Sequence, residues 1–354
     1  MVRREEGSTC ELSRAKLKAR SIPFCMSPGK EISHRYFLVG GAGFIGSHFA
    51  DRLLADVSVL AVTLFDNFSS GREWHFEAHH GDPRFRVVRG DVKDLDLLTA
   101  AMQGHNIIIH MASNPDIARA ATEPDIDFRE GTYLTNNVVE AMRRSGTTTI
   151  LYASGSGVYG DLGEKEVEED YGPLTPISTY GASKLAGEAL IAAYCHMFDF
   201  TGRVFRFGNV VGARQTHGVG FDFVRQLLRN PRKLRILGDG TQSKSYIHVQ
   251  DVVDAVLLVG KRSNIGFAAY NVATGDYITV TEIAELAVEC VGLHRDQVTF
   301  EYTGGNRGWK GDVPIVRLNT DRMRRLGWTC SSGSREALRC SMLAMLPDAR
   351  AARL

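Results

Sequence analysis

Short apolar runs alternate with longer segments in which apolar residues recur every three or four positions, from about residue 34 onward. The continuous runs predict strands buried on both faces, and the repeats predict amphipathic helices. Predicted strands cover residues 36–39, 59–65, 84–89, 106–110, 149–153 and 204–207. Predicted helices cover residues 47–54, 94–102, 127–145 and 179–198. Because strands and helices alternate, we predict an α/β fold with a doubly wound parallel sheet covered on both faces.

The alternation becomes irregular after about residue 208, where short strands and helices follow one another without a fixed order. We predict helices at 221–229, 249–259 and 280–291, short strands at 245–248 and 270–273, and a last structured segment at 317–328. This pattern predicts a smaller, mixed α/β domain in the C-terminal part of the chain. Pro23, Pro28 and Gly29 interrupt the first 33 residues, which we predict to be a disordered extension.

A glycine-rich turn joins the first predicted strand to the first predicted helix. Gly40 lets the chain turn sharply, Gly43 lets the backbone approach a pyrophosphate, and Gly46 lets the helix pack closely on the strand. Dinucleotide phosphates would then lie at a helix N-terminus, where free N–H groups and the helix dipole favour anions. About 20 residues later the second strand ends at Asp66, whose carboxylate suits the adenosine ribose hydroxyls and repels a 2′-phosphate. The turn therefore predicts a Rossmann-like site that prefers NAD, although Arg72 nearby leaves NADP open.

The composition restricts the function further. With 42 Lys and Arg against 41 Asp and Glu, the chain lacks the basic surface that nucleic-acid binding or polybasic membrane attachment requires. No apolar run reaches the roughly 20 residues of a membrane helix, and residues 1–30 lack the apolar core of a secretory signal. The six cysteines are scattered without a Cys-x-x-Cys pair, so we expect free thiols, no metal site and a cytoplasmic location.

Tyr180 and Lys184 lie four residues apart on the helix predicted at 179–198, so both side chains project from one face. A lysine ammonium beside a phenol is expected to lower the phenol pKa, because it stabilises the phenolate. Tyr180 could then exchange a proton with a sugar hydroxyl while a hydride moves to or from nicotinamide, and Lys184 could also bind the nicotinamide ribose. A surface tyrosine and lysine one turn apart would give the same spacing. The upstream glycine turn and the hydroxyl-bearing strand end before the pair favour the catalytic interpretation.

Taken in order, these motifs resemble those of the extended short-chain dehydrogenase/reductases, and among them the nucleotide-sugar epimerases and dehydratases. The similarity extends from about Tyr36 to Trp328. The matching segments are Gly40-Gly41-Ala42-Gly43-Phe44-Ile45-Gly46, Asp66-Asn67, Gly90-Asp91-Val92, His110-Met111-Ala112, Val158-Tyr159-Gly160, Tyr180-Gly181-Ala182-Ser183-Lys184, Arg206-Phe207-Gly208-Asn209-Val210-Val211-Gly212, Gly238-Asp239-Gly240-Thr241-Gln242 and Leu326-Gly327-Trp328.

The resemblance implies a role for each matching position, with Tyr180 and Lys184 as the catalytic pair that also contacts the cofactor. It implies tightly bound NAD, reused within each cycle, and cofactor contacts at Gly40, Gly43, Phe44, Ile45, Gly46, Asp66, Asn67, Asp91, Val92 and Ala112. It implies nucleotide-sugar contacts, with a UDP-sugar preferred, at Asn209, Lys244 and either Arg307 or Lys310.

It also implies a domain division and an assembly. We accordingly predict an NAD-binding domain over 34–207, with contributions from 245–275, and a substrate-binding domain over 208–340. Many members of the family are homodimers joined through the helices that correspond to those predicted at 127–145 and 179–198, so we expect a homodimer here.

Two departures from the family pattern affect the site. The family usually has a catalytic Ser or Thr three residues before Val158, where this chain has Gly155. The hydroxyl that polarises the sugar oxygen must then come from Ser154, which we favour slightly because it follows the strand directly, or from Ser156, or be missing. Lys244 replaces the usual arginine, and a lysine binds phosphate as a point charge without the bidentate fork of arginine.

The residues just before Val158 also bear on the type of reaction. The similar 4,6-dehydratases have an Asp-Glu pair where this chain has Ser156 and Gly157, and the decarboxylases usually have a Glu in place of Gly157. Oxidation and re-reduction at C4 need no such carboxylate, so we predict an NAD-dependent nucleotide-sugar 4-epimerase, an isomerase. The alternative is a 4,6-dehydratase or decarboxylase that takes its carboxylates from elsewhere. A non-catalytic protein that binds NAD or a nucleotide-sugar is a further alternative, which only Gly155 favours.

Overall fold

A computed structural model describes residues 34–262 and 266–350, so the extension predicted over 1–33 lies outside the described residues. The strands are β1 His34–Val39, β2 Val59–Asp66, β3 Phe85–Arg89, β4 Ile107–His110, β5 Thr149–Gly155, β6 Glu166–Val167, β7 Thr201–Phe207, β8 Asn209–Val211, β9 Lys233–Ile236, β10 Ser243–Lys244, β11 Tyr246–His248, β12 Phe267–Val272, β13 Ile278–Thr279, β14 Thr299–Tyr302 and β15 Arg317–Leu318. The α-helices are α1 Phe44–Leu54, α2 Leu95–Met102, α3 Tyr133–Ser145, α4 Thr179–Phe198, α5 Val219–Arg229, α6 Val249–Arg262, α7 Val280–Val291, α8 Asp321–Arg325 and α9 Ser334–Arg350. A π-helical turn, Phe128–Thr132, leads into α3, and a short 3₁₀ helix, Ser156–Tyr159, follows β5.

Seven of the described strands form one parallel sheet in the order β12-β7-β5-β4-β1-β2-β3. From β1 the sheet grows in one direction through β2 and β3, and in the other through β4, β5, β7 and β12. The strand order therefore reverses between β1 and β4, and ligands of open α/β sheets bind beyond the carboxyl ends of the strands at such a point. The predicted doubly wound parallel sheet is confirmed.

Apolar side chains from both faces of the sheet are buried under helices. On one face α1 and α6 cover β1 and β2 through residues such as Phe49 and Val256. On the other face α2, α3 and α4 cover the sheet through Leu98, Val138 and Ile191. Because both faces are covered, the strands consist largely of continuous apolar residues, which is the pattern that predicted them.

A separate apolar cluster lies among the elements after β8. Helices α5, α7 and α9 enclose it with side chains that include Phe223, Leu227, Ile283 and Leu338. Parallel strands β9 and β14 lie beside it, and neither was predicted. The prediction also missed α9, although the buried residues of this helix recur at helical spacing. The division into an NAD-binding and a substrate-binding domain stays a prediction.

Two further features of the described residues concern the chain's environment. None of the helices in 34–262 and 266–350 is long and apolar enough to cross a bilayer. Four of the cysteines, Cys195, Cys290, Cys330 and Cys340, are free thiols, as expected from their spacing. Cys10 and Cys25 lie outside the described residues.

Candidate active site

The glycine turn after β1 is packed too tightly for side chains at two of its three key positions. Gly40 has a φ of +79°, and a Cβ there would lie 2.7 Å from the main-chain nitrogen of Ala112, which follows β4. A Cβ on Gly46 would lie 2.4 Å from the Gly40 carbonyl oxygen. At Gly43 the nearest atom to such a Cβ is 3.4 Å away, so this position is more open. The turn thus combines close packing between β1, α1 and β4 with an accessible backbone at Gly43.

The first turn of α1 can receive an anion. Gly43 is its N-cap and provides no side chain to cap the helix, and the first turn contains no acidic residue. The first N–H groups of a helix have no intrahelical acceptor, and they carry the positive end of the helix dipole. Phe44 and Ile45, both half-buried, lie in this turn as the resemblance implied.

Asp66 ends β2 and holds the glycine turn in place. One of its carboxylate oxygens accepts a hydrogen bond from the Ala42 N–H at 2.9 Å, and the other accepts one from the Phe68 N–H at 2.8 Å. Burial raises the pKa of Asp66, while these hydrogen bonds and Arg89 oppose the rise. The carboxylate therefore shapes the cofactor loop, and its contact with a ribose stays a prediction.

The other predicted cofactor residues lie at the carboxyl ends of neighbouring strands. The Asn67 amide donates to the Asp91 carboxylate at 3.3 Å, which joins the ends of β2 and β3. Val92 is buried, and its carbonyl oxygen accepts a hydrogen bond from the Asn137 amide on α3. Together with Ala112 after β4, these residues border the point where the strand order reverses.

Tyr180 and Lys184 lie in the first two turns of α4, which begins at residue 179 as predicted. The Ser178 hydroxyl caps the helix by accepting a hydrogen bond from the Gly181 N–H at 3.1 Å. The Lys184 ammonium lies 5.5 Å from the centre of the Tyr180 ring and 5.2 Å from that of Tyr152, and it donates a 2.8 Å hydrogen bond to the Ala153 carbonyl oxygen. The structure thus brings the predicted pair together and fixes the ammonium between two aromatic rings.

The electrostatics of the pair differ from the expectation. We expected Lys184 to lower the phenol pKa, but burial and the negative charge of Asp127 raise the pKa of Tyr180 to about 12. Burial lowers the pKa of Lys184 to about 8, although Asp127 and Glu188 oppose this shift. In the chain by itself, Tyr180 is therefore a neutral phenol near pH 7. The spacing alone could not reveal this, because the burial and the carboxylate come from other segments.

The two candidate serines differ sharply in their surroundings. Ser154 is 4 % exposed, and its hydroxyl donates a 2.5 Å hydrogen bond to a carboxylate oxygen of Glu188. That carboxylate in turn pairs with the buried Arg206 guanidinium at 2.7 Å. Ser156 is half-buried, and its side chain makes no hydrogen bond to any other described residue. The slight preference for Ser154 is therefore reversed, because its hydroxyl proton is already committed to a buried ion pair.

Close packing brings the segment that carries Ser156 to the start of α4. A Cβ on Gly181 would lie 2.5 Å from the Gly157 carbonyl oxygen. Ser156 directly precedes Gly157, and Tyr180 directly precedes Gly181. The two hydroxyl-bearing residues are thus held on adjoining segments by a contact that only glycine allows at position 181.

The predicted substrate residues fall into two groups. Lys244 and Arg307 meet at the buried Asp312: the Lys244 ammonium contacts its carboxylate at 2.5 Å, and the Arg307 guanidinium donates to its carbonyl oxygen. Arg307 also pairs with Asp161 at 2.6 Å. Lys310 is exposed and has no ion pair among the described residues. Asn209 is exposed at the start of β8, where its amide donates to the Ser245 carbonyl oxygen at 3.2 Å.

Three polar residues near the pair were not predicted from the sequence. Ser113, on the loop after β4, lies close enough to Tyr180 to oppose the rise in its pKa. Asn114 and Asp127 are both buried, and the Asn114 amide donates to the Asp127 carboxylate at 2.9 Å. The position of Ser113 three residues after His110, at a strand's carboxyl end, is the one sequence signal that pointed toward this site.

Comparison with known proteins adds independent findings. A profile of the NAD dependent epimerase/dehydratase family matches residues 36–273. The UDP-glucose 4-epimerase of Mycolicibacterium smegmatis is 33 % identical over 302 residues, which is 83 % of this chain and 93 % of that protein. A crystal structure of a UDP-galactose 4-epimerase has 34 % identity and a TM-score of 0.79, covering 89 % of this chain and 99 % of the other. The crystal structure of DesIV, a dTDP-glucose 4,6-dehydratase from Streptomyces venezuelae with NAD and TYD bound, has 25 % identity and a TM-score of 0.81. The match covers 89 % of this chain and 97 % of DesIV.

Proposed function

The chain belongs to the NAD-dependent epimerase/dehydratase family, and we propose that it is a nucleotide-sugar 4-epimerase that acts by transient oxidation at C4 of a UDP-sugar or another nucleoside-diphosphate sugar. The observation that carries the proposal is the composition of the site around Tyr180. It contains the phenol, the ammonium of Lys184 and the uncommitted hydroxyl of Ser156, while residues 155–157 provide no carboxylate.

NAD is the cofactor of the family, and the structure provides a cradle that fits it. A Cβ at Gly40 or Gly46 would collide with the backbone, whereas Gly43 leaves room above the N-terminus of α1. Asp66 adds a carboxylate at the end of β2, which disfavours a 2′-phosphate. We assign the pyrophosphate to the α1 N-terminus and the adenosine ribose to Asp66, with Asn67, Asp91, Val92 and Ala112 around them.

The proposed mechanism gives each side chain one task. NAD supplies, when bound, a hydride acceptor and donor and a positive charge. Tyr180, as the phenolate, removes the proton of the 4-hydroxyl and returns it to the same oxygen after the sugar has turned over in the cleft. Ser156 donates a hydrogen bond to that oxygen, and Lys184 stabilises the phenolate from its fixed position at the Ala153 carbonyl oxygen.

The diphosphate of the substrate is assigned to Lys244 and Arg307. Both cations meet at Asp312, and Arg307 is held by Asp161 as well. A guanidinium that is already oriented can bind phosphate with two parallel hydrogen bonds, which an exposed lysine cannot do. This arrangement favours Arg307 over Lys310 as the second phosphate ligand, with Asn209 as a further nucleotide-sugar contact.

The 4,6-dehydratases and decarboxylases remain the competing activities, because a dTDP-glucose 4,6-dehydratase has the same fold at 25 % identity. Water loss and decarboxylation need acid and base groups besides the phenol. Ser156 and Gly157 cannot act as carboxylate acids or bases, and Glu188 is paired with Arg206 at 2.7 Å. These facts support epimerisation.

A panel of UDP-, dTDP-, GDP- and CDP-sugars tests the proposal. Purified protein is incubated with each sugar, and the products are resolved by mass and retention time. The proposal expects a product of unchanged mass and altered retention, and no turnover by Tyr180→Phe, which should still bind NAD. A product lighter by one water or one carbon dioxide supports a dehydratase or decarboxylase instead. Wild-type turnover by Tyr180→Phe would refute the role of the phenol.

A homodimer is part of the proposal. Large apolar side chains are exposed on the π-helical turn, on α3 and at the end of α4, namely Phe128, Tyr133 and Met197. Their exposure on the segments that the resemblance assigns to the dimer contact supports burial against a second copy. Sedimentation equilibrium distinguishes a dimer from a monomer. The cytoplasmic location stays a prediction.

A further inference from the structure

A buried carboxylate lies beside the catalytic pair without being part of it. Asp127 is 1 % exposed and directly precedes the π-helical turn Phe128–Thr132. Its carboxylate accepts a 2.9 Å hydrogen bond from the Asn114 amide and a 2.7 Å hydrogen bond from the Thr179 hydroxyl. Its carbonyl oxygen accepts a 2.7 Å hydrogen bond from the Ser183 hydroxyl. Among the described residues Asp127 forms no salt bridge, so neutral donors alone satisfy it directly.

Each of these three partners adjoins a residue of the proposed site. Asn114 follows Ser113, which lies close enough to Tyr180 to oppose the rise in its pKa. Thr179 directly precedes Tyr180. Asp127 therefore ties the loop after β4 to the first turn of α4 at the position of the phenol.

The third partner, Ser183, directly precedes Lys184. The Ser183 hydroxyl donates to the Asp127 carbonyl oxygen and accepts a 3.0 Å hydrogen bond from the Thr132 hydroxyl. Through Asp127, the segment that precedes α3 thus contacts the residues directly before Tyr180 and Lys184.

The charges around the pair come from several elements. Asp127 faces it from the segment before α3, and Glu188 faces Lys184 from the next turn of α4. His110 at the end of β4 is held neutral, because burial and Lys184 lower its pKa to about 3. Tyr152 on β5 contacts the ammonium with its ring. Glu188 is neutralised by Arg206, so Asp127 is the carboxylate near Tyr180 that has no cation paired to it in the described chain.

We propose that Asp127 is a positioning residue for the proposed reaction, which holds Tyr180 and Lys184 in register and sets their protonation by its unpaired charge. A negative charge opposes ionisation of a neighbouring phenol and favours the charged form of a neighbouring ammonium. Asp127 thereby adds to the effect of burial in keeping Tyr180 neutral, and it opposes burial in keeping Lys184 charged, until further positive charge enters the site. This inference rests on the proposed function for its catalytic meaning and on the hydrogen bonds for its geometry.

Removing the charge of Asp127 should shift the pKa values of Tyr180 and Lys184 in the same direction. In Asp127→Asn the amide keeps a similar shape and can still accept one hydrogen bond, but the negative charge is lost. The pKa values of Tyr180 and Lys184 should both fall, because Asp127 raises each of them. The loss of one neighbouring charge is expected to change each pKa by about one pH unit. Both limbs of the pH–rate profile should then move to lower pH.

The matched control is Thr179→Val. It removes the 2.7 Å hydrogen bond to Asp127 and leaves the carboxylate in place. If Asp127 acts through its charge, this variant lowers the maximal rate without moving either limb of the profile. If Asp127 only supports the local structure, Asp127→Asn and Thr179→Val lower the rate alike and neither moves the limbs, which would overturn the proposal.

A spectroscopic titration separates this inference from the proposed function. The ultraviolet difference spectrum between a protein and its Tyr180→Phe counterpart reports the phenolate of Tyr180 and needs no substrate. The wild-type difference should show an onset consistent with a pKa of about 12. In the Asp127→Asn background the onset should lie at lower pH, whereas an unchanged onset overturns the proposal.

The titration also remains decisive if the Asp127→Asn protein does not fold. In that case Asp127→Ser, which also removes the charge, is titrated in its place, and an unchanged Tyr180 onset would overturn the proposal, because burial alone already raises this pKa. If no nucleotide-sugar is converted but the onset moves as expected, the proposed function fails and the electrostatic role of Asp127 stands.

Discussion

Ser154, near the end of β5, and Ser156, just after it, provide a prediction in which one substitution affects stability and the other affects catalysis. Ser156→Ala removes a half-buried hydroxyl that has no hydrogen bond to another described residue. The folded state should lose less than about 0.5 kcal/mol, as is usual for such positions. If this hydroxyl polarises the sugar oxygen, its removal should lower kcat by about 100- to 1,000-fold, as the loss of one such donor does elsewhere.

Ser154→Ala should have the opposite effect. Its hydroxyl donates a 2.5 Å hydrogen bond to Glu188, and both residues are 3–4 % exposed. A hydrogen bond to a buried charged group contributes about 1.5–3 kcal/mol to stability. With an unfolding entropy of roughly 2.1 cal/mol/K per residue, the described part of the chain should melt about 2–5 °C lower. Because its proton is held by Glu188, the Ser154 hydroxyl is not expected to bind the sugar oxygen, and kcat should stay close to the wild-type value.

The assay is the initial rate of epimerisation at saturating sugar, measured together with the melting temperature of each variant. Ser156→Thr serves as the matched control, because it keeps a hydroxyl at the same position and should retain most of the activity. The reasoning is refuted if Ser154→Ala loses activity at full stability while Ser156→Ala remains active. Equal losses of activity in both variants would also contradict the assignment.

Three further predictions follow from single residues. Gly46→Ala should abolish measurable NAD binding in calorimetry, because a Cβ there would lie 2.4 Å from a main-chain oxygen. The control Gly81→Ala should bind NAD normally, because no atom lies within 4 Å of the position of its Cβ. Burial lowers the pKa of His75 to about 4, so the unfolded chain, titrating near 6.5, binds this proton first. Stability should therefore be lost as the pH falls below 6.5, and His75 should account for about 2 kcal/mol of that loss at pH 5. In urea unfolding, the free energy of unfolding of His75→Gln should fall less between these two pH values than that of the wild type. Arg307→Met should raise the KM for the sugar nucleotide about tenfold or more, and Lys310→Met should leave it nearly unchanged; the reverse order would move the phosphate contact to Lys310.

Local motifs carried most of the information that the sequence could provide. The glycine turn, the acid at the end of β2 and the spacing of Tyr180 and Lys184 are each defined within a few consecutive residues. The helix predicted at 179–198 has those bounds in the structure, because its cap Ser178 and its left-handed C-cap Asp199 are both local signals.

What depends on distant contacts could not be predicted in the same way. Asp127 acquires its place through Asn114 and Thr179, which lie 13 and 52 residues away in the chain. The choice between Ser154 and Ser156 depends on Glu188, which is 34 residues from Ser154. The direction of the Tyr180 pKa shift was wrong for the same reason, since burial outweighs the neighbouring ammonium.

The fate of the C4 hydrogen tests the central claim most directly. UDP-glucose carrying deuterium at C4 is incubated with the protein and NAD, and the product is examined by mass spectrometry and NMR. Transient oxidation at C4 with return of the hydride predicts an isomer of unchanged mass that still carries deuterium at C4. A product that has lost water, or one with the label moved to another carbon or exchanged with solvent, would contradict the claim that this site epimerises at C4.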